Sequence, residues 1–280
     1  MTKALLFSYI SFSTLQLKGL TVPEKVTYVR FRRTKDGTSH YGILGYEKIV
    51  QLEQPPWLGI EKTKLSHKIA NVTLLAPVSP TKIICVGLNY HAHVDASQSA
   101  TKAPEQPMLF LKPPSSIIGP DDKIKYPSQS KRVDFEAELG VVIGKRAENV
   151  SKADALKYVL GYTCVNDVTA RDLQKTDGQW GRAKGFDTFC PVGPWVVSGI
   201  DCENLKIEGI LNGNVKQSGQ TSNMIFNIQY IISYISSIMT LEPGDLISTG
   251  TPAGIEPMNP GDTIEVKIEN IGTLKNKVAK

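Results

Sequence analysis

The chain has few cysteines and histidines and no long apolar run, and these absences exclude several classes of protein. Its four cysteines, Cys85, Cys164, Cys190 and Cys202, form no CxxC pair and lie in or beside apolar segments. This pattern is typical of buried reduced thiols in an intracellular protein and argues against a zinc site. No segment is long and apolar enough to span a membrane. We therefore expect no membrane partner.

A concentrated basic region is also absent. The chain has 280 residues, with 32 Lys and Arg against 27 Asp and Glu, and a net charge of +5. The basic residues are spread along the chain, with no arginine-rich run and no basic patch interleaved with aromatics. We therefore expect no nucleic-acid partner. A mildly positive field instead favours a small anionic ligand.

The first twenty residues, MTKALLFSYISFSTLQLKGL, contain no acidic residue and are rich in apolar residues, Ser and Thr. They lack the long apolar core and the small-residue cleavage site of a signal peptide. We interpret residues 1–24 as an N-terminal extension, either disordered or a transit peptide without arginine. The predicted location is cytoplasmic, with the organelle matrix as the alternative if the extension is a transit peptide.

Local patterns predict a mostly β protein with a few helices (α+β). Residues 25–52 alternate apolar and polar residues around a DG turn, which predicts a small N-terminal β-rich subdomain over 25–79. Short β-like runs such as LGVVIG, GYTCVNDV and DTIEVKIEN recur through a main domain over 80–280. The absence of regular strand–helix alternation argues against a doubly wound parallel sheet, and GLNYHAH is not a dinucleotide fingerprint.

Two stretches of the main domain have helical patterns. One runs from Ser151, a candidate N-cap, to about Gly161. The other covers residues 223–239 and carries one apolar stripe at helical spacing, formed by Ile225, Ile228, Ile231, Ile232 and Ile235. We expect this stripe to lie in the core.

Acidic residues form two clusters beside apolar runs. Asp134, Glu136 and Glu138 are two apart and would project from the same face of a strand. The run LGVVIG follows at once, so this face enters the core unless it is a solvated edge, and partly buried carboxylates need a cation. The second cluster, VNDVTARDLQ, offers Asp167 and Asp172. Structural ion pairs also cluster carboxylates, and the sequence alone does not show that the two clusters meet.

The same second cluster offers Arg171 and Gln174 as groups that bind an anion or donate hydrogen bonds. Oxygen ligands with no nearby histidine favour magnesium, manganese or calcium over zinc.

Several motifs in order resemble the catalytic domain of the fumarylacetoacetate hydrolase family over roughly residues 80–275. They are IICVGLNY, FLKPPSSIIGP, YPSQSKRVDFEAELGVVIGK, GYTCVNDVTARDLQ, GQWGRAKGFDTFCPVGPW and ISTGTPAG. The resemblance implies a mixed β-sandwich or roll and a homodimer. It implies that Mg²⁺ or Mn²⁺, with Ca²⁺ as a further candidate, is bound by Glu136, Glu138 and Asp167.

The resemblance also implies roles for residues around that metal. Asp134 becomes a neighbour of the metal ligands or a surface acid. Lys184 corresponds to the active-site lysine, and the residues implied to contact substrate are Arg171, Gln174 and Thr251. Two alternatives stay open: Arg171 only pairs with Asp172, or Thr251 only shapes its turn.

The NYxxH motif implies a lid whose general base is His93. In the family a glutamate usually follows this histidine by three residues, but here that position is Ala96. Without a carboxylate to orient the imidazole, a step that deprotonates water should be weakened. Asp95 is an alternative partner if the lid is not helical, and His91 is an alternative base.

A 2-oxo acid can chelate a metal through its carboxylate and 2-oxo oxygen, so that the metal stabilises the enolate formed in the reaction. We predict an enzyme that cleaves a C–C bond in acylpyruvates or oxaloacetate-like dicarboxylates by hydrolysis or decarboxylation. The alternative is an isomerase or tautomerase of the same acids. A third reading, motivated by Ala96, is a catalytically silent relative that binds metal and 2-oxo acid.

Overall fold

Strands dominate the computed structural model, which describes residues 24–96 and 102–280. The strands are β1 (Val26–Arg33), β2 (Ser39–Leu44), β3 (Lys48–Leu52), β4 (Lys62–Lys68), β5 (Val72–Leu75), β6 (Ile83–Gly87), β7 (Met108–Lys112), β8 (Ile117–Ile118), β9 (Lys123–Lys125), β10 (Val133–Asp134), β11 (Ala137–Ile143), β12 (Val159–Asn166), β13 (Thr169–Ala170), β14 (Cys190–Ser198), β15 (Lys206–Leu211), β16 (Asn214–Gln220), β17 (Leu246–Ser248), β18 (Pro257–Met258), β19 (Thr263–Ile268) and β20 (Gly272–Ala279). The α-helices are α1 (His91–Ala96), α2 (Arg171–Asp177), α3 (Gly181–Gly185) and α4 (Ile228–Ser236). Short 3₁₀ turns lie at Ile69–Asn71, Pro114–Ser116, Ala155–Tyr158 and Thr221–Asn223. The predicted α+β class is confirmed.

The N-terminal residues form the antiparallel strands that their alternation predicts. Strands β1 and β2 pair in antiparallel register from Tyr28 with Ile43 to Arg32 with Ser39. Gly37 in the connecting turn has a φ of 71°, a left-handed conformation that glycine adopts without steric cost.

One large sheet continues from these strands into the rest of the molecule. It has twelve strands in the order β4-β3-β2-β1-β14-β12-β11-β17-β6-β7, with β5 paired to β1 and β8 paired to β14. The N-terminal strands join it through β1, where Val26 lies opposite Ser198 of β14. Hydrogen bonds between β1 and β14 join residues 25–79 to residues 80–280 in one sheet. The division of the chain into these two units therefore stays a prediction.

A second sheet packs against the first and completes a sandwich. Its five strands lie in the order β16-β15-β19-β20-β9, and a three-stranded sheet has the order β13-β10-β18. One core cluster joins Leu139 and Val141 of the large sheet to Ile207 and Val266 of the five-stranded sheet. The mixed β-sandwich that the family resemblance implied is therefore confirmed.

The helix predicted to run from Ser151 to about Gly161 is wrong. Only Ala155–Tyr158 forms a 3₁₀ turn, and Val159 already begins strand β12, where it pairs with Ile143 of β11. The Ser151 hydroxyl does accept a hydrogen bond from the Asp154 backbone at 3.2 Å, but it closes a single turn. Pairing along β11 outweighs the local helical pattern.

The second predicted helix is present but shorter than residues 223–239. Helix α4 begins after Asn227, whose side chain accepts a hydrogen bond from the Tyr230 backbone. The residues before it are held extended by Asn89, which receives the backbone N–H groups of Ile225 and Phe226 at 2.8 Å each. The predicted apolar stripe lies in or against the core: Ile228, Ile231, Ile232 and Ile235 are buried, and Ile225 packs against the same cluster.

None of the helices in the described part of the chain is long and apolar enough to cross a membrane. The interpretation of residues 1–20 falls outside the described residues. The homodimer and the cytoplasmic location stay predictions.

Candidate metal centre and active site

Glu136, Glu138 and Asp167 lie together in the interior of the protein. Each offers one carboxylate oxygen, and these atoms all lie within 4.8 Å of one another. All three side chains are buried. The two acidic clusters of the sequence therefore meet, and they meet where unpaired carboxylates are costly.

Neighbouring strand ends place these side chains. Glu138 is in β11, opposite Val165 of β12, and Asp167 follows the last residue of β12. Glu136 lies between β10 and β11, where its backbone N–H donates to the Asn166 side chain at 3.0 Å and its carbonyl accepts from the Asp167 N–H at 2.9 Å. The antiparallel pairing of β11 with β12 is what brings the clusters together.

One oxygen of each carboxylate is already hydrogen-bonded to a neighbouring group. For Glu136 and Asp167 that group is a basic side chain, and for Glu138 it is a hydroxyl together with a backbone N–H. Glu136 Oε1 accepts from Arg171 Nη2 at 2.5 Å, Asp167 Oδ1 accepts from Lys112 Nζ at 2.6 Å, and Glu138 Oε2 accepts from Ser248 Oγ at 2.5 Å and from the Gly250 N–H at 2.9 Å. The remaining oxygens are Glu136 Oε2, Asp167 Oδ2 and Glu138 Oε1. Each carboxylate thus keeps an oxygen for another partner.

The ammonium of Lys184 bonds two of these remaining oxygens. Its Nζ lies 2.7 Å from Glu136 Oε2 and 2.6 Å from Asp167 Oδ2. Burial opposes the charge of Lys184, but the two carboxylates outweigh it and raise the pKa of the ammonium above its usual range. A positive group is therefore already bound between two of the carboxylates.

The third carboxylate of the group differs in its electrostatics. Burial, with the neighbouring charges of Asp167 and Glu136, raises the pKa of Glu138 to about 8. Burial acts in the same direction on Glu136, but Lys184 and Arg171 outweigh it and lower its pKa well below the usual range. Glu138 is therefore the carboxylate of the three whose negative charge the neighbouring cations stabilise least. An all-oxygen donor set of this kind suits magnesium, manganese or calcium.

Arg171 forms ion pairs with two buried acids, Asp134 and Glu136. Besides Glu136, it donates through Nε to Asp134 Oδ2 at 2.9 Å and through Nη1 to Gln174 Oε1 at 2.6 Å. Asp134 is fully buried and also accepts from Arg132 Nε at 2.9 Å. Asp134 is therefore not a surface acid; it contacts the arginine that contacts Glu136.

Asp172 takes no part in the carboxylate group. It accepts hydrogen bonds from the Ser130 hydroxyl at 2.6 Å and from the Lys131 backbone at 2.8 Å. The alternative in which Arg171 only pairs with Asp172 is wrong, because Arg171 is bonded to Asp134 and Glu136.

A single pocket collects every predicted site residue. Its lining includes His93, Glu136, Glu138, Asp167, Arg171, Gln174, Lys184 and Thr251. Aromatic rings of Phe110 and Trp180 form part of the wall and pack edge to face at 5.2 Å. The structure thus brings together residues that are up to 158 positions apart in the chain.

His93 lies in helix α1, and its imidazole is buried in this pocket. Burial lowers its pKa, and Arg171 and Lys184 lower it further, while Glu136 acts in the opposite direction. The imidazole is thus neutral at pH 7. His91 is exposed, so the structure gives no support to it as the alternative base. The side chains of Asp95 and Ala96 lie outside the described residues. The weaker deprotonation of water that Ala96 implies, and Asp95 as an alternative partner of His93, therefore stay predictions.

Thr251 lies at the pocket and also fixes local structure. Its hydroxyl donates to the Ala137 carbonyl at 2.9 Å and accepts from Gln217 Nε2 at 2.8 Å. Both the substrate-contact role and the turn-shaping role stay predictions.

Sequence reasoning missed several residues that hold the site. Lys112 is fully buried and bonds Asp167, and the signal was a lysine within the apolar run MLFLK. Ser248 and Gly250 bind Glu138 from the ISTGTPAG motif. Gly250 has a φ of 98°, and a Cβ there would lie 2.7 Å from that of Asn89. This position therefore requires glycine.

Comparison with known proteins agrees with this arrangement. The model of the family described as fumarylacetoacetate (FAA) hydrolase C-terminal matches residues 82–279. The chain belongs to the fumarylacetoacetate hydrolase family. A second model, described as Rv2993c-like, N-terminal, matches residues 27–77. Members of this family include isomerases, tautomerases and hydrolases. Membership therefore supports an enzyme, without deciding which of these reactions it catalyses.

Curated relatives extend over most of the chain. An uncharacterized protein of Methanocaldococcus jannaschii is 49% identical over 236 residues, which cover 84% of this chain and 98% of the relative. The mitochondrial oxaloacetate tautomerase Fahd2a of Rattus norvegicus is 43% identical over 221 residues, covering 75% of this chain and 70% of the relative.

Two solved structures are informative about the family. A 5-carboxymethyl-2-hydroxymuconate delta-isomerase from Mycobacterium smegmatis is 40% identical, with a TM-score of 0.85 over 90% of this chain and 99% of that one. A maleylpyruvate hydrolase from Sphingobium, in complex with manganese and pyruvate, is 29% identical, with a TM-score of 0.73 over 90% of this chain and 98% of that one. Family members thus bind divalent metals, and the buried acidic group of this chain suits one.

Proposed function

We propose that the protein is a divalent-metal-dependent tautomerase or isomerase of small 2-oxo diacids of the oxaloacetate type. One observation carries the proposal: His93 and Lys184 line the same small pocket as the three carboxylates. A base and an acid beside a metal site are the parts that proton transfer between carbon and oxygen requires.

Glu136, Glu138 and Asp167 would hold the metal, with Mg²⁺ or Mn²⁺ as the cation. Support comes from the all-oxygen donors and from the Lys184 ammonium that already bonds two of them. A bound divalent cation would act as a Lewis acid and stabilise negative charge on the 2-oxo oxygen of the substrate.

The protein's own side chains would carry the proton. His93 accepts the proton from the carbon next to the 2-oxo group through its free ring nitrogen, and the C–H electron pair becomes the C=C bond of the enol. Lys184 stabilises the negative oxygen and donates a proton to it. Arg171 and Gln174 bind the distal carboxylate of the diacid, because a guanidinium and an amide suit that anion.

The choice of tautomerisation over C–C cleavage rests on the histidine and on two relatives. Hydrolysis needs a base that also orients a water, and the sequence has Ala96 where the family's orienting glutamate usually stands. Proton transfer to and from the substrate needs only the base itself. The 43% identical rat relative is named an oxaloacetate tautomerase and the 40% identical mycobacterial structure an isomerase.

C–C bond cleavage of acylpyruvates is the second candidate function. The observation that favours it is the likeness to maleylpyruvate hydrolase, which was solved with pyruvate bound. Decarboxylation of oxaloacetate belongs to the same candidate, because it also breaks a bond next to the stabilised enolate.

A substrate panel separates the two functions. Purified protein with added Mg²⁺ or Mn²⁺ is given enol oxaloacetate, and three products are followed: ketonised oxaloacetate by loss of enol absorbance, pyruvate by a coupled assay, and carboxylic acid from acetylpyruvate. We expect fast loss of enol absorbance without a matching release of pyruvate. Pyruvate release as fast as enol loss, or rapid acetylpyruvate cleavage, would favour the second function. No turnover with any of these acids would contradict both.

A further inference from the structure

The three carboxylates of the metal centre each have one oxygen bonded to a partner outside the group. Lys112 holds Asp167 Oδ1, Arg171 holds Glu136 Oε1, and Ser248 with Gly250 holds Glu138 Oε2. In each case the other oxygen is the one turned toward Lys184 or left for a further partner. A cation bound here would therefore receive one oxygen from each residue.

The partner of Asp167 Oδ1 is a buried lysine, Lys112. Lys112 is the last residue of β7, its side chain is fully buried, and its Nζ also donates to the Val168 carbonyl at 3.1 Å. Lys112 does not line the pocket, so it cannot touch a substrate there. Both of its acceptors belong to the segment that follows β12, and together they fix the rotation of the Asp167 carboxylate.

Lys184 is placed differently. The oxygens that it bonds, Glu136 Oε2 and Asp167 Oδ2, are the ones that the other partners leave. An entering cation can replace Lys184 at these oxygens without disturbing the bonds that hold the carboxylates. The two buried lysines therefore differ in what they bond: Lys112 bonds the oxygen of Asp167 that points away from the carboxylate group, and Lys184 bonds the oxygens that a cation would take.

Carboxylate orientation separates small cations from calcium. Ca²⁺ takes six to eight oxygens and commonly binds a carboxylate through both of its oxygens, whereas Mg²⁺ requires six near-ideal ligands and keeps several waters. Three carboxylates limited to one oxygen each supply too few protein ligands for tight Ca²⁺ binding. They suit a six-coordinate cation that completes its shell with water or substrate.

We propose that Lys112 is a specificity-determining residue of the metal centre, which keeps Asp167 to one oxygen and so makes the site select Mg²⁺ or Mn²⁺ against Ca²⁺. This inference rests on the metal site of the proposed function. It assigns to Lys112 a positioning role, since the residue acts through Asp167 and contacts neither the cation nor the substrate.

Metal affinities of the wild type and of Lys112→Met test the proposal. Metal-free protein is titrated with Mn²⁺ followed by electron paramagnetic resonance, and Mg²⁺ and Ca²⁺ are measured by competition. Lys112→Met adds one net negative charge to the site, so every affinity should rise; the informative quantity is the ratio. We expect the ratio of the Ca²⁺ affinity to the Mg²⁺ affinity to be at least about tenfold higher in Lys112→Met than in the wild type. Tenfold is the lower end of the effects that residues behind metal ligands have on affinity.

Lys82→Met is the matched control. Lys82 also pairs with a fully buried aspartate, Asp245, which is bonded to Thr81 and the Glu242 backbone away from the carboxylate group. This variant should leave the ratio unchanged. An unchanged ratio in Lys112→Met, with Mn²⁺ still bound, would overturn the inference while leaving the metal site intact. Wild-type protein that binds none of the three cations would instead overturn the proposed function.

A second measurement needs no variant and therefore does not depend on Lys112→Met folding. The number of inner-sphere waters on Mn²⁺ in the wild type can be counted with ¹⁷O-labelled water by electron–nuclear double resonance. One oxygen from each of three carboxylates leaves three positions of a six-coordinate ion for water. We expect three waters; two or fewer would mean that a carboxylate binds through both oxygens and would contradict the proposal.

Discussion

The ammonium of Lys184 lies 2.6 Å from Oδ2 of Asp167, so a lysine occupies the position where we propose a metal. The same Nζ is 2.7 Å from Glu136 Oε2. A divalent cation bound by these oxygens would displace this ammonium and leave it free to face a substrate. Metal binding and the availability of Lys184 are thereby linked.

Replacing Lys184 by methionine should separate binding from turnover. The variant lacks the ammonium that competes for the carboxylate oxygens, so its Mn²⁺ affinity should equal or exceed that of the wild type. Its turnover should fall by roughly 10²-fold or more, because the group that stabilises the developing oxyanion is lost. Titration with Mn²⁺ and initial rates measure the two effects. A weaker Mn²⁺ affinity would show that Lys184 helps to bind the metal, contrary to this account.

Asp167→Asn should remove both metal binding and activity. The amide has a single acceptor oxygen and no charge, so we expect at least about a 100-fold loss of Mn²⁺ affinity, beyond the usual effect of residues behind the ligands. Asp172→Asn is the control, because Asp172 is five positions further along the chain and bonds Ser130 and Lys131 instead. Equal losses in the two variants would mean that the effect comes from local folding.

His93→Gln should lower the rate without weakening the metal. Loss of a general base typically costs 10²- to 10⁴-fold, and glutamine keeps hydrogen-bonding capacity at similar size. His91→Gln serves as the matched variant, since His91 lies in the same helix but is exposed. Rates and Mn²⁺ affinities are measured for both. A normal rate in His93→Gln would exclude this residue as the base.

The pH dependence should follow the free base form of His93. Burial lowers its pKa below the usual 6.5, so the base form is already dominant at pH 6.5 and above. With the metal site saturated, activity should therefore fall to half its maximum only at a pH below 6.5. The acid limb should disappear from the residual activity of His93→Gln. A limb centred above pH 7 would assign the titration to another group.

Asn89 should matter for the stability of the fold. Its side chain receives the Phe226 N–H at 2.8 Å and donates to the Phe226 and Thr249 carbonyls at 3.1 and 2.7 Å, all buried. Asn89→Ala leaves these groups unpaired, which should cost about 2–4 kcal/mol in the free energy of unfolding. Urea unfolding measures it. The exposed Asn214→Ala is the control and should change stability by less than about 0.5 kcal/mol.

Local patterns predicted the parts of the fold that local forces decide. The alternation in residues 25–52 predicted the antiparallel strands, and the isoleucine stripe predicted the buried face of α4. The helix from Ser151 was wrong because Val159 and the residues after it pair with β11, a partner that a window of sequence does not contain. The start of α4 was misplaced because Asn89, far along the chain, holds Ile225 and Phe226 extended.

The sequence predicted which residues form the site, but not the hydrogen bonds and ion pairs that hold them in place. Motifs that resemble the family supplied Glu136, Glu138 and Asp167, and the pairing of β11 with β12 explains why they meet. The lysine within the apolar run MLFLK was a signal for Lys112, but the run does not show which acid it pairs with. Only the packed structure shows that it is buried against Asp167.

The most direct test of the central claim is metal dependence of the rate at which enol oxaloacetate is lost. Protein stripped with EDTA is assayed before and after addition of Mg²⁺ or Mn²⁺, beside Asp167→Asn. The account predicts no catalysis in the stripped protein, saturable recovery with either cation, and no recovery in the variant. An equal rate with and without the chelator would contradict it.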